Sequence, residues 1–151
     1  MKRTLFLFGL VACVVAPSVS FAVEDCKFYT YHAEITEVID GDTVRANIDL
    51  GFHIWVRDEK LRLHAIDAPE LRRYGAGKAV SEEEKAAGVA AKAALVDLIE
   101  GREVTLCTIK DSKGKYGRYL AQIYLDDLDV NQWMIDQGHA VPYPERRAAL
   151  R

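Results

Sequence analysis

The turn sequence Asp40-Gly41-Asp42 joins two segments in which apolar and polar residues alternate, and no other feature restricts the fold as much. Residues 29–39, before the turn, are rich in β-branched and aromatic types. After the turn, Val44, Ala46 and Ile48 point to one side while the polar residues between them point to the other. The pattern predicts two consecutive strands joined by a short turn.

The rest of the chain predicts a small α+β domain. Further strands are expected at Phe52–Val56, Lys60–Ile66, Glu103–Ile109 and Tyr119–Leu125. A capping box at Ser81–Glu84 begins a helix whose apolar residues recur at helical spacing up to Ile99. Gly88 interrupts this helix and is an alternative start, and a short second helix spans Val130–Gln137. The order β-β-β-α-β-β-α predicts a five-stranded barrel with two to three helices, for which the OB-fold is the obvious candidate.

The first 22 residues have the organisation of a secretory signal peptide. Lys2 and Arg3 precede the apolar run 5–16, and Ser20-Phe21-Ala22 is a small-x-small cleavage site. A membrane anchor is a weaker alternative because the run is short. A lipoprotein signal around Cys13 would leave residues 14–22 unexplained. We therefore expect one mature domain, residues 23–151, that is secreted or periplasmic and has no membrane attachment after cleavage.

The net charge and the cysteine content limit the functions that are plausible for the mature chain. Without Lys2 and Arg3, 18 basic and 23 acidic residues remain, which is a net charge of −5. This balance counts against tight, non-enzymatic binding of nucleic acid, so affinity for a polyanion requires a local patch or a metal. The remaining cysteines are Cys26 and Cys107, and in an exported protein such a pair is more often a disulfide than two free thiols or metal ligands.

Acidic residues that suit a hard cation lie at predicted strand ends. Asp42 and Asp67 can supply carboxylate oxygens, and the backbone carbonyl of Ala68 is within reach of the same position. Glu70 follows Pro69, and a carboxylate beside a metal can orient or deprotonate a water. Taken singly, such aspartates usually cap turns and such a glutamate usually lies on the surface. Their combination indicates metal-assisted chemistry.

Two arginines complete an inventory for phosphodiester cleavage. Arg62 lies on the polar face of its strand, and Arg118 ends the turn Lys115-Tyr116-Gly117-Arg118. A guanidinium matches phosphate oxygens and is most valuable where charge builds up in a transition state. A solvated surface charge is the alternative for each arginine alone. Tyr116 and Tyr143 can stack on bases, although packing at the core or rim is at least as frequent for such residues.

These segments together resemble the staphylococcal nuclease (thermonuclease) family. The similarity extends from about Ala33 to Tyr143. The matching segments are Val38–Val44, Arg62–Leu63, Ile66–Glu70, Lys115–Arg118, Val130–Asn131 and Gln137–Gly138. The resemblance implies an OB-fold barrel and Ca²⁺-dependent cleavage of DNA and RNA, with the bond to the 5′ oxygen broken and 3′-phosphate ends left. We expect a monomer with low sequence specificity that favours single-stranded or frayed substrate.

Residue roles follow from the resemblance by position. Asp42, Asp67 and the carbonyl of Ala68 would bind calcium, and Asp40 would be a nearby carboxylate. Glu70 would handle the attacking water, and Arg62 and Arg118 would hold the phosphate and stabilise the pentacovalent state. Lys115, Tyr116 and Tyr143 are expected to contact substrate. Cys26 lies just before the first strand and Cys107 near the end of the strand that follows the long helix; in the implied fold these two strands run side by side, which would allow the two sulfurs to meet.

The sequence departs from the family in two places. Position 68 is Ala where the best-known member has Thr, which matters little if only the carbonyl binds metal. Only residues 145–151 remain for a C-terminal helix that is longer in the family, so either a marginally stable member or a fragment is expected. A non-catalytic nucleic-acid-binding OB module and a disulfide-stapled envelope protein are the rival interpretations. Neither explains why the full set of acids and arginines is present.

Overall fold

The computed structural model describes residues 29–71, 80–113 and 117–143, with the backbone alone for 110–113. The predicted signal peptide, Cys26, Lys115 and Tyr116 lie outside these segments, so the predictions about them and the division into domains stay predictions. The strands are β1 (Thr30–Asp40), β2 (Thr43–Asp49), β3 (Trp55–Leu63), β4 (Ile66–Asp67), β5 (Glu103–Lys113), β6 (Tyr119–Leu125), β7 (Leu128–Asp129) and β8 (Val141–Pro142). The helices are α1 (Glu82–Ile99) and α2 (Val130–Asp136).

Five strands close into a barrel. β1 pairs antiparallel with β2 and with β5, β2 pairs with β3, and β5 pairs with β6. A short parallel pairing of β3 with β6, in which Leu61–Leu63 lies beside Tyr119–Ala121, closes the ring. The mixed five-stranded barrel with two helices confirms the predicted α+β OB-fold.

One strand differs from its prediction. The separate segments Phe52–Val56 and Lys60–Ile66 were expected, but a single strand β3 runs from Trp55 to Leu63 and residues 51–53 form the turn. Asp58 lies within β3 at a φ of 56°, and the β2–β3 register shifts between Ala46 and Ile48 opposite it. This bulge breaks the alternation in the sequence without ending the strand, which is why the pattern predicted two pieces.

Helix α1 covers one side of the barrel and begins as the capping box predicts. The Ser81 side chain accepts a hydrogen bond from the Glu84 backbone N–H at 3.1 Å. The helix continues through Gly88 to Ile99, so the alternative start at Gly88 is wrong. Its buried residues recur at helical spacing, and three of them pack into the barrel core: Ala91, Leu95 and Ile99. Neither described helix is long and apolar enough to cross a bilayer.

The buried side chain of Asn131 fastens helix α2 to the barrel. Its Nδ2 donates to the carbonyls of His64 and Ala121, both at 3.0 Å, and its Oδ1 accepts from the Ile123 N–H at 3.2 Å. These partners belong to the end of β3 and to β6, close to the barrel's closing pair. One amide therefore satisfies three backbone groups beside the β3–β6 pairing that closes the barrel, and the site depends on this pairing.

Replacing this amide should destabilise the fold. Asn131→Leu keeps a similar volume but leaves the buried Ile123 N–H without its acceptor, so we expect a loss of about 2–4 kcal/mol in the free energy of unfolding. Urea denaturation measures it. Gln132→Leu is the control, because its amide lies exposed on the same helix and bonds only Asp136 among the described contacts, at 2.8 Å. Equal effects of the two substitutions would contradict the proposed role of Asn131.

Candidate active site

The pairing of β2 with β3 brings the predicted site residues to one end of the barrel. Thr43, the first residue of β2, lies opposite Arg62 near the end of β3. The Leu63 N–H donates to the Asp42 carbonyl at 2.8 Å, which continues the ladder past the start of β2. Because β4 follows β3 after a two-residue turn, Asp67 returns to the same end.

Arg62 joins the two predicted metal-binding carboxylates. Its Nη1 lies 2.7 Å from Oδ1 of Asp42, and its Nη2 lies 2.6 Å from Oδ1 of Asp67. The three side chains are largely buried, with exposed fractions of 20% for Arg62, 6% for Asp42 and 17% for Asp67. Such short, charge-assisted contacts in a poorly solvated position are strong, and they fix the distance between the two carboxylates.

Asp42 receives further hydrogen bonds that hold its carboxylate in place. The Ala68 N–H donates to Oδ2 at 3.0 Å, and the Thr43 hydroxyl donates to Oδ1 at 3.0 Å. The Asp42 N–H in turn donates to Oδ1 of Asp40 at 3.1 Å, which closes an Asx turn. The backbone of residue 68 thus lies against Asp42, so replacing Thr by Ala at that position preserves this contact.

At both Asp42 and Arg62, burial and the opposite charge nearby shift the pKa in opposite directions. Burial raises the pKa of Asp42 above its ordinary value, and it prevails over the Arg62 charge, which lowers that pKa; the Asp40 charge raises it further. Burial by itself lowers the pKa of Arg62, yet the carboxylates of Asp42 and Asp67 outweigh it and raise that pKa. Burial therefore disfavours the ionised Asp42 carboxylate even with Arg62 beside it, and a cation bound there would stabilise the ionised form.

Arg118 reaches this cluster through a residue that the sequence analysis did not single out. Its Nη1 donates to Oγ1 of Thr43 at 3.1 Å, and that hydroxyl donates to Oδ1 of Asp42. Arg118 directly precedes β6, whose parallel pairing with β3 aligns Leu120, two residues further on, with Arg62. Thr43 is 2% exposed. Its position after the turn was visible in the sequence, but nothing there showed that its hydroxyl faces the site.

The remaining described candidates lie on the border of the cluster. Glu70 is half-buried and follows Pro69 directly after the Ala68 contact. Tyr143 is 43% exposed, and its N–H donates to the Ala65 carbonyl at 2.8 Å, beside the β4–β8 pair that carries Asp67. The structure thus brings Tyr143 near the site through its backbone. Whether Glu70 and Tyr143 act on substrate stays a prediction.

Two glycines allow α1 to approach the loop that carries the acids. A Cβ at Gly41 would lie 2.7 Å from the Ala68 Cβ and 2.8 Å from the Ala91 Cβ. A Cβ at Gly88 would lie 2.8 Å from the Pro69 carbonyl oxygen and 3.1 Å from that of Glu70. Gly88 therefore sits mid-helix, at a cost in helix propensity, because the backbone of the Glu70 loop rests directly on it.

Gly88→Ala should lower activity by displacing the Glu70 loop. The added methyl meets backbone atoms, which cannot rotate away, so the loop must shift by several tenths of an ångström or more. We expect turnover to fall about 10- to 100-fold, because small misplacements of a reacting group are costly. Val89→Ala, at an exposed position of the same helix, is the control. Full activity together with the gain of about 1 kcal/mol that helix propensity alone predicts would contradict this contact.

The donor set fits a hard cation in its chemistry. Asp42 and Asp67 present carboxylate oxygens, and the Ala68 N–H holds one oxygen of Asp42 in place. In the described segments, no three His, Cys, Asp or Glu side chains are grouped closely enough to hold a metal. Calcium accepts backbone carbonyls and water as well as carboxylates, so two aspartates are compatible with such a site.

Comparison with known proteins identifies the family of the chain. Residues 60–149 match the family model for staphylococcal nuclease homologues. The chain is 29% identical over 110 residues to the succinoglycan biosynthesis protein ExoI of Rhizobium meliloti, a match that covers 69% of this chain and 48% of that protein. It is 26% identical over 129 residues to an uncharacterised protein of Methanocaldococcus jannaschii, covering 75% and 59% of the two chains.

A third relative carries the word nuclease in its name. The probable staphylococcal-like nuclease CAN2 of Oryza sativa is 31% identical over 88 residues, which is 58% of this chain and 20% of that protein. The chain spans about half the length of the first two relatives, 48% and 59%. The family match includes the positions of Arg62, Asp67 and Arg118 and extends over more than half of the 151 residues. The chain therefore belongs to the staphylococcal nuclease family.

Proposed function

We propose that this protein is an exported, Ca²⁺-dependent nuclease that hydrolyses phosphodiester bonds of DNA and RNA with low sequence specificity. The observation that carries the proposal is the buried cluster in which Arg62 joins Asp42 to Asp67 and Thr43 links Arg118 to Asp42. It combines oxygen ligands for a hard cation with two guanidinium groups at one end of a barrel. The protein is proposed to act as a monomer on single-stranded or frayed substrate.

Each residue has a separate task in this proposal. Asp42, Asp67 and the carbonyl of Ala68 would hold the calcium ion, which when bound supplies positive charge beside the phosphate. Arg62 and Arg118 donate to the phosphate oxygens, and their hydrogen bonds strengthen as negative charge develops there.

Glu70 accepts the proton of the attacking water as that water forms its bond to phosphorus. The bond from phosphorus to the 5′ oxygen breaks, the leaving oxygen takes up a proton, and a 3′-phosphate and a 5′-hydroxyl end result.

One assay separates this function from its rivals. Purified protein is incubated with end-labelled single-stranded DNA or RNA, with Ca²⁺ or with excess chelator. We expect fragments only with the metal, ending in 3′-phosphates that a phosphatase removes. Asp58→Asn, which removes an exposed carboxylate paired with Arg45, is the control that should cleave normally. Retention of the strand without cleavage would favour the non-catalytic binding module, and cleavage in chelator would end the calcium proposal.

Export is proposed together with a disulfide between Cys26 and Cys107. Cys107 is 1% exposed on β5 and lies opposite Thr30, the first residue of β1. Three residues lie between Cys26 and Thr30, and the four residue steps that join them span at most about 14 Å. The length of this segment is therefore compatible with a bridge from Cys26 to Cys107.

Reduction should lower the stability of the exported protein. The bridge would close a loop of roughly 80 residues, for which the chain-entropy estimate is about 4 kcal/mol. We expect both thiols to resist alkylation until a reductant is added, and we expect the melting temperature to fall once they are reduced. Protein recovered from an oxidising compartment with two freely alkylated thiols would contradict the bridge.

A further inference from the structure

The hydroxyl of Thr43 lies between the Asp42 carboxylate and the Arg118 guanidinium. Oγ1 donates its single proton to Oδ1 of Asp42 at 3.0 Å and accepts from Nη1 of Arg118 at 3.1 Å. The same Oδ1 accepts from Arg62 at 2.7 Å. A continuous path of hydrogen bonds thus runs from Arg118 through Thr43 and Asp42 to Arg62.

The backbone and packing hold this hydroxyl in one place. Thr43 is 2% exposed, and as a β-branched residue it has a stiff χ1. Its strand position opposite Arg62 is set by the β2–β3 register. The hydroxyl therefore has a fixed location and a fixed direction of donation, whereas Arg118 is a long side chain with many rotamers. Arg118 makes other interactions too, so Thr43 is one of its tethers.

We propose that Thr43 is a positioning residue that orients the Arg118 guanidinium toward the phosphate held beside the Asp42–Arg62–Asp67 cluster. The inference rests on the proposed function, because it assigns Thr43 an effect on a step that Arg118 promotes. Thr43 acts through Arg118 and does not itself touch the reacting atoms. Its loss should therefore lower turnover more than it weakens substrate binding.

Thr43→Val tests this role because it removes the hydroxyl and keeps the shape of the side chain. We expect kcat to fall about tenfold with a smaller change in KM, since a loosened guanidinium is held in productive geometry less of the time. Thr43→Ser, which restores the hydroxyl, should recover most of the rate. Thr108→Val is the matched control, because it removes the hydroxyl of another buried threonine, on β5.

A double-mutant cycle shows whether the effect passes through Arg118. In the Arg118→Ala background, Thr43→Val should cost nothing further, because the group that it positions is already absent. An undiminished tenfold loss in that background would overturn the inference and show that Thr43 acts through Asp42 instead. Wild-type kcat in the Thr43→Val variant would overturn it as well.

A second measurement needs neither metal nor cleavage. The ¹⁵N order parameter of the Arg118 side-chain Nε reports how firmly the guanidinium is held on the ps–ns timescale. It should fall in Thr43→Val and stay near the wild-type value in Thr43→Ser and Thr108→Val. If the wild-type protein failed to cleave any substrate, the proposed function would be wrong while this measurement still decided the tether. An unchanged order parameter in an active enzyme would reject the tether alone.

Discussion

Arg62→Lys should reduce turnover by on the order of 100-fold or more, although it keeps the positive charge. Arg62 uses two nitrogens of one planar group, at 2.7 Å from Asp42 and 2.6 Å from Asp67. A lysine ammonium is a single point and cannot hold both carboxylates at that spacing or offer a fork to phosphate oxygens. Steady-state kinetics on a defined oligonucleotide measures the effect, which should fall mainly on kcat.

Arg45→Lys is the matched control for this prediction. Arg45 also joins two carboxylates, Glu37 at 3.1 Å and Asp58 at 2.9 Å, and the three side chains are 32%, 56% and 70% exposed. Exposed ion pairs contribute little, so this substitution should leave both rate and stability nearly unchanged. If Arg62→Lys instead kept its turnover and only raised KM, the guanidinium would serve binding and its proposed role in the transition state would be wrong.

The fold was predictable because its periodicities are local. Alternation in residues 43–49 and helical spacing up to Ile99 depend on neighbours in the chain, and both elements appear where expected. The Asp58 bulge and the path of α1 through Gly88 were not predictable in the same way. Each depends on a contact with a distant segment, namely β2 for the bulge and the Pro69–Glu70 backbone for the glycine.

The sequence predicted which charged residues form the site, but it did not predict the hydrogen bonds that connect them. Asp42, Arg62 and Asp67 were singled out, and the structure brings them into direct contact. The hydroxyl of Thr43 and the amide of Asn131 were missed as individual groups. Threonine in a strand and asparagine in a helix are ordinary residues, and their importance arises only when the barrel closes and aims them at particular partners.

Closure explains why the acids and arginines lie so close together. The parallel pairing of β3 with β6 aligns Arg62 with Leu120, two residues after Arg118. The antiparallel pairing of β2 with β3 aligns Arg62 with Thr43, one residue after Asp42. Arg62 thus lies on the strand shared by both pairings. A change in the β2–β3 register would move Asp42 away from Arg62, and a change in the β3–β6 register would move Arg118 away from Thr43.

Asp42→Asn should abolish cleavage and should change how the stability of the metal-free protein depends on pH. The substitution removes a proposed calcium ligand without changing the size of the side chain, and the lost charge stabilisation of several kcal/mol corresponds to on the order of 1000-fold in rate. The pH expectation follows from burial: the folded protein raises the pKa of Asp42 above 3.8, so folding disfavours the ionised carboxylate that the variant lacks.

Only the wild-type protein titrates at this position, which makes the pH dependence specific. Because the folded state keeps the Asp42 proton to higher pH than the unfolded state, the wild-type protein in chelator loses stability as pH rises from 3.8 through the raised pKa. The Asp42→Asn variant lacks this contribution, so its stability relative to the wild-type protein should rise over that interval and then level off. Denaturant titrations at several pH values measure the difference, with Asp58→Asn as an exposed control. A variant that cleaves normally with calcium, or whose stability relative to the wild-type protein falls as pH rises over that interval, would show that Asp42 is not the buried, metal-binding carboxylate of this site.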